Sequence, residues 1–320
     1  MIISILLILL GFVFLIKGAD FLVDGARDIA LKFHIPEIII GLTIVSIGTS
    51  MPELFVSISS ALSGYSDMAI GNAIGSNLCN VFLILGLSAI IRPIKFQRET
   101  RLIEAPLCMA ITIIFAYICN SDLMISRKEA FILIGLFILF IIYTIVMSFE
   151  GKKFDKEDDN DEIIASKNNI PIIRSIINII IGMVALKIGG DLTVNNAVIV
   201  AEKLNISEKI ISLTILALGT SLPELVTSAT AAFKGDSDIA VGNIIGSNIF
   251  NMLLIIGVSS FIKPIVYNIT YNLDMIILTW GVLLLMLFPI IPPKNRMNRL
   301  NGFMYLSIYI LYMSLTIFVF

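Results

Sequence analysis

The sequence predicts an all-α polytopic membrane protein with about ten transmembrane helices in two inverted five-helix repeats. Three observations lead to this fold class: a very apolar composition, an internal duplication, and an odd number of predicted spans in each copy. Of the 320 residues, 58% are hydrophobic and 14% are charged, with a mean hydropathy of +0.98. A water-soluble domain of this composition would lack polar residues for the exposed faces of its helices, so the expected environment is a bilayer.

The apolar residues are grouped in long runs that carry few or no charges. Five of these runs are Met1–Ile16, Ala105–Cys119, Ala130–Met147, Met275–Ile291 and Met304–Phe320. A helix crosses the hydrocarbon core with about 20 residues, and every backbone N–H and C=O within the core must be paired internally. The runs are therefore predicted to be helices. A β-barrel would instead show alternating segments of about ten residues, and the sequence has no such alternation.

An internal duplication divides the chain into two halves. A shift of 171 residues places 41–94 on 212–265 without a gap, and 29 of these 54 positions are identical. Self-similarity of this kind indicates that one structural unit occurs twice. We therefore expect a first five-helix repeat at 1–149 and a second at 171–320, joined by a charged linker at 150–170.

Ten predicted spans fall five to each half. They cover residues 2–31, 36–63, 67–91, 102–119, 126–148, 171–202, 207–233, 238–262, 271–290 and 301–319. Because five is odd, the second half enters the membrane from the opposite side, which is the inverted-repeat arrangement of secondary transporters. The linker lacks the glycine and the terminal glutamate spacing of an EF-hand, so a solvated connection is predicted there.

The charges of the loops predict the orientation in the membrane. With the N-terminus outside, 14 Lys and Arg residues collect on the cytoplasmic side and 5 on the outer side. Cytoplasmic loops of membrane proteins carry the excess of positive charge. The sequence therefore predicts a multi-pass protein of the cell membrane, with both termini outside and the linker in the cytoplasm.

Two glutamates lie inside predicted spans at equivalent positions of the two halves. Glu53 ends the motif Gly48–Glu53, which reads GTSMPE, and Glu224 ends Gly219–Glu224, which reads GTSLPE. A carboxylate within a membrane helix is costly unless it has a partner or binds an ion. The proline before each glutamate removes one helical hydrogen bond and frees carbonyl groups in the preceding turn. Carboxylate, hydroxyl and carbonyl oxygens together favour a hard cation.

Helical spacing places more polar residues beside the glutamates. One stripe in each half has the spacing i, i+4, i+7 and i+11, and its members are Ser46, Ser50, Glu53 and Ser57, then Ala217, Ser221, Glu224 and Ser228. The following span of each half has polar residues spaced by four, and these are Asn72, Ser76 and Asn80, then Asn243, Ser247 and Asn251. Helix packing could explain the small and polar residues, but it does not explain the two glutamates.

Brought together at a pseudo-two-fold axis, these segments would offer oxygen ligands and no His, Cys or Met. Such a set suits Ca²⁺, Na⁺ or Mg²⁺ and disfavours zinc, copper and iron. Two carboxylates balance one divalent ion, and Mg²⁺ is reluctant to lose its water. Ca²⁺ is therefore the favoured transported ion, and no cofactor is expected.

The duplicated motifs Gly-Thr-Ser-x-Pro-Glu and Gly-Asn-x-Ile-Gly-Ser-Asn resemble the α-repeats of the sodium/calcium exchanger family, within the cation/Ca²⁺ antiporters. The resemblance covers the whole chain in length, span number and repeat arrangement. It is strongest to prokaryotic members, because the large cytoplasmic regulatory domains of animal relatives are missing. It implies a secondary active antiporter that exchanges Na⁺ for Ca²⁺ by alternating access, and not an enzyme.

The resemblance also implies roles for individual residues. Glu53 and Glu224 would be the central acidic ligands. The side-chain oxygens would come from Ser50, Ser76, Ser221, Ser247, Asn80 and Asn251. The carbonyl oxygens of the Na⁺ sites would come from Thr49, Thr220, Ser46 and Ala217. Some relatives, including K⁺-dependent ones, have an aspartate in place of Asn251, which disfavours K⁺ coupling here.

Several alternatives stay open from the residues alone. A Ca²⁺/H⁺ antiporter would load protons on the glutamates instead of Na⁺, although protons need no cage of hydroxyls and carbonyls. A cation channel fits less well, because channels usually surround a pore with several equivalent subunits or repeats. The expected partners are Ca²⁺, Na⁺ and the lipid bilayer. No basic patch indicates nucleic acid, no protein partner is implied, and a monomer is compatible with the sequence.

The first and sixth predicted spans are longer than the hydrocarbon core requires, so we expect them to be tilted. Both contain charged residues, which are Lys17, Asp20, Asp24, Arg27, Lys187 and Asp191. Pairing or snorkelling near a membrane face is the simpler interpretation of these charges, and a gating role is the alternative.

Overall fold

The computed structural model describes residues 1–154, 171–204, 217–291 and 295–319. This part of the chain is predominantly helical. The helices are α1 (Ile2–Phe33), α2 (Glu37–Ile40), α3 (Ser46–Thr49), α4 (Met51–Ser63), α5 (Ser66–Leu78), α6 (Leu85–Ile91), α7 (Ala105–Ser121), α8 (Arg127–Phe154), α9 (Ile172–Lys203), α10 (Ala217–Gly219), α11 (Leu222–Lys234), α12 (Ser237–Phe250), α13 (Ile256–Ile262), α14 (Asn272–Leu287) and α15 (Arg299–Val319).

Turns of π-helix continue several of these helices into one another. They are Gly41–Val45 between α2 and α3, Cys79–Ile84 between α5 and α6, Thr100–Glu104 before α7, and Asn251–Ile255 between α12 and α13. A 3₁₀ turn at Ile269–Tyr271 precedes α14. Because π turns widen the helix locally, they often occur at functional sites.

Seven continuous helical segments of the described residues are long and apolar enough to cross a membrane. They are Ile2–Phe33, Ser66–Ile91, Thr100–Ser121, Arg127–Ser148, Ile172–Lys203, Ser237–Ile262 and Ile269–Leu287. A bent pair, Glu37–Thr49 with Met51–Ser63, adds an eighth if it is one span. The chain is therefore a multi-pass helical membrane protein. The number of ten stays a prediction: part of the predicted span 207–233 lies outside the described residues, and α15, at the predicted span 301–319, is not among these segments.

The two longest helices, α1 and α9, cross each other in opposite directions. Gly11 of α1 lies against Gly189 of α9, and Gly18 lies against Gly182. Increasing residue numbers in α1 thus meet decreasing numbers in α9, so the helices are antiparallel. Glycines at a membrane helix crossing let the two backbones approach closely.

The centre of the bundle is formed by two equivalent helical segments, Ser66–Ile91 and Ser237–Ile262. Their most apolar stretches are 72% and 94% buried, whereas those of α1 and α9 are each 28% buried. The inner segments contain the polar motifs, and the outer helices present apolar side chains such as Leu6 and Ile180 to their surroundings. Polar groups inside and apolar groups outside is the distribution expected in lipid.

The bent pair packs closely against α12 through glycine. A Cβ on Gly242 would lie 2.9 Å from the Gly41 Cα, and one on Gly246 would lie 2.6 Å from the Leu42 carbonyl oxygen. Larger residues would hold the two segments apart. The close approach brings the polar faces of α3 and α12 within hydrogen-bonding distance.

Two small antiparallel sheets connect the halves outside the long helices. Strand β1 (Ile94–Lys95) pairs with β4 (Arg296–Met297), and β2 (Met124–Ile125) pairs with β3 (Ile265–Val266). In each sheet one strand comes from the first half and the other from the second. The sheets therefore join the two halves, in addition to the helix packing.

Candidate functional site

Each predicted GTS-x-PE motif forms a break between two helices. In the first half, α3 ends at Thr49, Ser50 leaves the helical conformation with φ −86° and ψ 8°, and α4 begins at Met51. The axis bends by 49° across this break. Ser221 has nearly the same conformation, φ −86° and ψ 5°, immediately before α11. Because Pro52 has no N–H, it cannot donate a helical hydrogen bond to a carbonyl of the preceding turn.

The two glutamates lie in the first turns after these breaks, deep inside the bundle. Glu53 is 1% exposed and Glu224 is 2% exposed. Each carboxylate accepts a hydrogen bond from a serine of the opposite half. The Ser50 hydroxyl donates to Glu224 Oε1 at 2.8 Å, and the Ser221 hydroxyl lies 3.5 Å from Glu53 Oε1. The structure thus brings both predicted acidic ligands into one polar cluster.

Serines of α5 and α12 belong to the same cluster. The Ser50 Oγ lies 2.9 Å from the Ser247 Oγ, and the Ser221 Oγ lies 3.2 Å from the Ser76 Oγ. These contacts also connect one half with the other. All four predicted serine ligands are buried and lie next to a glutamate or next to a serine that contacts one.

The threonines and Ser46, which are predicted to offer main-chain carbonyls, differ in their hydrogen bonds. The Thr49 hydroxyl donates to Asn243 Oδ1 at 3.1 Å, and Thr220 lies in the break beside Ser221. The Ser46 hydroxyl donates to the Leu42 carbonyl of its own helix at 2.8 Å. The Ser46 carbonyl accepts from the Ser50 N–H at 3.0 Å, so both Ser46 oxygens already take part in hydrogen bonds.

Ala217, the counterpart of Ser46, begins helix α10 in the second half. Its side chain lies outside the described part, and alanine offers only its carbonyl as a ligand. The two halves therefore differ at this position, because the hydroxyl of Ser46 has no equivalent in Ala217.

Asparagines connect the helices that flank the cluster. The Asn72 Nδ2 donates to the Ser57 Oγ at 2.9 Å, and the Asn243 Nδ2 donates to the Ser228 Oγ at the same distance. Asn72 also donates to the carbonyl of Glu53 at 3.1 Å. These bonds hold α4 to α5 and α11 to α12, so they help to fix the helices in which the glutamates lie.

Four further asparagines meet at the two inner π turns. The Asn80 Nδ2 donates to Asn248 Oδ1 at 3.1 Å, and the Asn251 Nδ2 donates to Asn77 Oδ1 at 2.9 Å. The Asn77 Nδ2 in turn donates to the main-chain carbonyl of Asn248 at 3.3 Å. Asn80 and Asn251 are predicted ligands, whereas Asn77 and Asn248 are the last residues of the repeated Gly-Asn-x-Ile-Gly-Ser-Asn motif. Their signal in the sequence was the Asn-x-x-Asn spacing in both halves.

Four buried oxygen atoms in this region have no hydrogen-bond partner among the described residues. They are Glu53 Oε2, Glu224 Oε2, Asn80 Oδ1 and Asn251 Oδ1. An unsatisfied buried acceptor costs about 1–3 kcal/mol, and more if it is charged. Two carboxylate and two amide oxygens, related by the duplication, are the donor atoms that hard cations prefer. The chemistry of these groups fits a site for Ca²⁺ or Na⁺.

Charged residues of α1 and α9 form ion pairs away from this cluster. The Lys234 Nζ lies 3.1 Å from Asp20 and 2.7 Å from Asp24, and the Arg27 guanidinium lies 3.6 Å from Asp236. In the same way, Lys17 pairs with Asp20, and Lys187 with Asp191. Pairing therefore accounts for these charges, as in the simpler of the two interpretations.

The chain matches known proteins over nearly its whole length. The family described as sodium/calcium exchanger protein matches residues 3–146 and 174–318. The sodium/calcium exchanger MaX1 of Methanosarcina acetivorans is 31% identical over 294 residues, which is 82% of this chain and 84% of MaX1. The inner membrane protein YrbG of Escherichia coli K12 is 34% identical over 267 residues, 82% of this chain and 81% of YrbG.

A solved structure has the same architecture. The structure of the sodium-calcium exchanger NCX_Mj superposes with a TM-score of 0.83 at 34% identity and covers 98% of each chain. Family, relatives and structure therefore agree with one another and with the duplicated motifs. The chain is an antiporter that belongs to the sodium/calcium exchanger protein family.

Proposed function

We propose that this antiporter exchanges Na⁺ for Ca²⁺ by alternating access and binds both ions around Glu53 and Glu224. Membership of the family supports antiport of these ions. The observation that carries the proposal is the group of four buried oxygens without partners. Bound cations would supply the partner that these oxygens lack, and the two carboxylates balance the charge of one Ca²⁺.

The proposed ligands are those that the family resemblance implies, and the contacts of Ser50 and Ser221 with the glutamates support two of them. In addition to the two carboxylates, we assign the side-chain oxygens of Ser50, Ser76, Asn80, Ser221, Ser247 and Asn251 as ligands. We also assign the main-chain carbonyls of Thr49 and Thr220, at the two breaks. The carbonyls of Ser46 and Ala217 complete the Na⁺ sites at the periphery. Hydrogen bonds that cross between the halves support a single shared cluster.

We further propose that the halves are inverted repeats of five spans each, at 1–149 and 171–320, with the linker 150–170 in the cytoplasm and both termini outside the cell. The antiparallel crossing of α1 and α9, which are equivalent by the duplication, supports the inversion. The reciprocal hydrogen bonds of Ser50 and Ser221 support a pseudo-two-fold axis through the site. The excess of basic residues in the predicted cytoplasmic loops supports the orientation.

Exchange, as opposed to leak, follows from the buried charge. Without a cation, two carboxylates would lie uncompensated in a low dielectric, which raises the barrier to the conformational change. Ca²⁺ and Na⁺ would compete for the same oxygens, so one ion leaves before the other binds. If more than two Na⁺ replace one Ca²⁺, net charge moves and the membrane potential drives transport.

The test is uptake of Ca²⁺ into vesicles that contain the purified protein. We expect vesicles loaded with Na⁺ to take up Ca²⁺ from a Na⁺-free bath, with or without K⁺, while a concentrated buffer of the same pH on both sides prevents a pH gradient. Equal uptake driven by a pH gradient without Na⁺ would contradict the assignment of Na⁺. That result would favour the Ca²⁺/H⁺ alternative, in which the same carboxylates carry protons.

The site itself is tested by removing one charge at a time. Glu53→Gln and Glu224→Gln should each leave a folded protein with little exchange. Glu104→Gln is the matched control, because Glu104 is also a membrane carboxylate and 1% exposed, but it contacts Tyr143 instead of the cluster. Unchanged exchange in both cluster variants would disprove the site, and loss of exchange in the control as well would show that the assay reports folding.

A further inference from the structure

The network of four hydrogen-bonded asparagines at the centre of the bundle contains two residues that the proposed site does not use. Asn80 and Asn251 each have a buried side-chain oxygen without a partner among the described residues, whereas the side-chain oxygens of Asn77 and Asn248 accept hydrogen bonds from these two residues. We propose that Asn77 and Asn248 are positioning residues that determine which end of each neighbouring amide faces the cation. The proposal rests on the proposed function of this site.

An asparagine can take part in a cation site in only one of two orientations. The oxygen and the NH₂ group of the amide have nearly the same size and shape, so packing alone does not distinguish them. An amide with its oxygen toward the ion is a ligand. Rotated by half a turn, the same side chain would point two N–H donors at a positive charge. The orientation must therefore be set by hydrogen bonds.

One arm of the network begins at a main-chain carbonyl, which fixes the orientation of the next side chain. The main-chain carbonyl of Asn248 can only accept, so the Asn77 side chain turns its Nδ2 toward it, at 3.3 Å. The Asn77 Oδ1 must then point the other way, where it accepts from the Asn251 Nδ2 at 2.9 Å. With its nitrogen held in this way, Asn251 has only Oδ1 left for the cation.

The second arm contains the counterpart, under the duplication, of the bond between Asn251 and Asn77. The Asn248 Oδ1 accepts from the Asn80 Nδ2 at 3.1 Å, which leaves Asn80 Oδ1 free. Asn248 thus takes part in both arms, through its carbonyl in one and its side chain in the other. The two arms lie at the start of equivalent π turns, Cys79–Ile84 and Asn251–Ile255.

Burial makes this orientation persistent. None of the four asparagines is more than 1% exposed, so bulk water cannot replace a partner during a rotation. Reversal of Asn77 would place its oxygen against the oxygen of the Asn248 carbonyl. Reversal of Asn251 alone would place its oxygen against Asn77 Oδ1. Each of these reversals brings two acceptors together, whereas the observed orientations of Asn77 and Asn251 pair a donor with an acceptor at both contacts.

The test uses the fact that a carboxylate has no wrong orientation. In Asn77→Ala the Asn251 amide loses the acceptor that holds its nitrogen, so the Ca²⁺ concentration for half-maximal uptake should rise by about tenfold or more. Asn251→Asp presents an oxygen whichever way it turns. The double variant Asn77→Ala/Asn251→Asp should therefore recover the half-maximal concentration of Asn251→Asp alone.

The outcomes separate positioning from packing and from the site itself. Unchanged uptake by Asn77→Ala, or a loss that Asn251→Asp does not rescue, would overturn the positioning role. If Asn77→Ala takes up Ca²⁺ normally, the variant Asn251→Ala tests the binding site itself. Normal transport by Asn251→Ala would show that Asn251 is not a ligand, so both proposals would be wrong at this position. If it is impaired, the site stands and only the positioning role is lost.

The second arm provides an independent test if Asn77→Ala does not give a monodisperse protein. Asn248→Ala removes the acceptor of the Asn80 Nδ2 but keeps the main-chain carbonyl that anchors Asn77. We expect a similar rise in half-maximal Ca²⁺ concentration, and rescue by Asn80→Asp to the level of that single variant. A rise without rescue would overturn the proposal for this arm.

Discussion

The crossing of α1 and α9 allows a quantitative test of how closely these helices pack. A Cβ on Gly18 would lie 2.8 Å from the Leu186 nitrogen, 2.9 Å from the Gly182 carbonyl oxygen and 3.1 Å from the Ala185 Cβ. Distances below 3.0 Å to backbone atoms cannot be relieved by rotating a side chain. Gly18→Ala therefore forces the two helices apart, and overpacking of this kind costs about 1–3 kcal/mol.

A matched control isolates that cost. Alanine is also the better helix former, by about 0.5–1 kcal/mol, which would partly hide the effect of overpacking. Gly135 lies in the middle of the membrane helix α8, and a Cβ there would meet no atom within 4 Å. Gly135→Ala should therefore gain the higher helix propensity of alanine without any steric clash. The difference between the two variants is therefore the cost at the crossing.

The assay is thermal unfolding of both variants in the same detergent, followed by the amount of monodisperse protein that remains after heating. We expect Gly18→Ala to unfold at a lower temperature than the wild type, and Gly135→Ala at the same or a higher temperature. Gly182→Ala should resemble Gly18→Ala, because its Cβ would lie 2.7 Å from the Gly18 carbonyl oxygen. Equal midpoints for Gly18→Ala and Gly135→Ala would refute backbone contact at this crossing.

Three further substitutions have definite expected results. Lys234→Met removes two partly exposed ion pairs to aspartates of α1, so it should lower the free energy of unfolding by at most about 1 kcal/mol. High salt should abolish this difference from the wild type. A larger loss of stability that persists in high salt would contradict the prediction. Pro52→Ala restores a backbone N–H in the break, so we expect slower Ca²⁺ uptake with unchanged stability, and normal uptake would show that the open turn is not needed. Tyr305→Phe removes a buried 2.6 Å hydrogen bond to the Gly281 carbonyl, which should lower the free energy of unfolding by about 0.5–1.5 kcal/mol, as measured by denaturant titration, without affecting uptake.

Much of the site could be predicted because it repeats. Glu53 and Glu224 are conspicuous as carboxylates in apolar surroundings, and the prolines before them have a local effect that does not depend on tertiary structure. The helical spacing also placed Ser50 and Ser221 near the glutamates. Local sequence patterns were sufficient to identify these residues, because a buried carboxylate and a proline break are visible in the sequence of a single span.

Other contacts depend on which helices become neighbours, which spacing alone does not determine. Ser57 lies on the predicted stripe of Glu53, yet it accepts a hydrogen bond from Asn72 of the next helix. Ser50 contacts the glutamate of the opposite half. Ser46 lies on the same stripe but bonds to its own helix. The spacing gave the correct face of the helix in each case and could not assign the partner.

The π turns are a second feature that the sequence did not reveal. Asn80 lies in one of them and Asn251 begins another, and in both the helix was predicted to be regular. No proline or glycine marks their start, since Cys79 and Asn251 are ordinary helix residues. Their stability depends on the packing of the inner segments, which is set by long-range contacts.

The reciprocal bonds between Ser50 and Glu224, and between Ser221 and Glu53, make each half responsible for the carboxylate of the other. The effect of a mutation will therefore not be confined to the half in which it occurs. The same reciprocity constrains evolution after the duplication, because a change at one copy alters selection on the partner position in the other. The lipid-facing residues of the outer helices take no part in this reciprocity, whereas the segments 41–94 and 212–265, which contain it, share 29 identical positions.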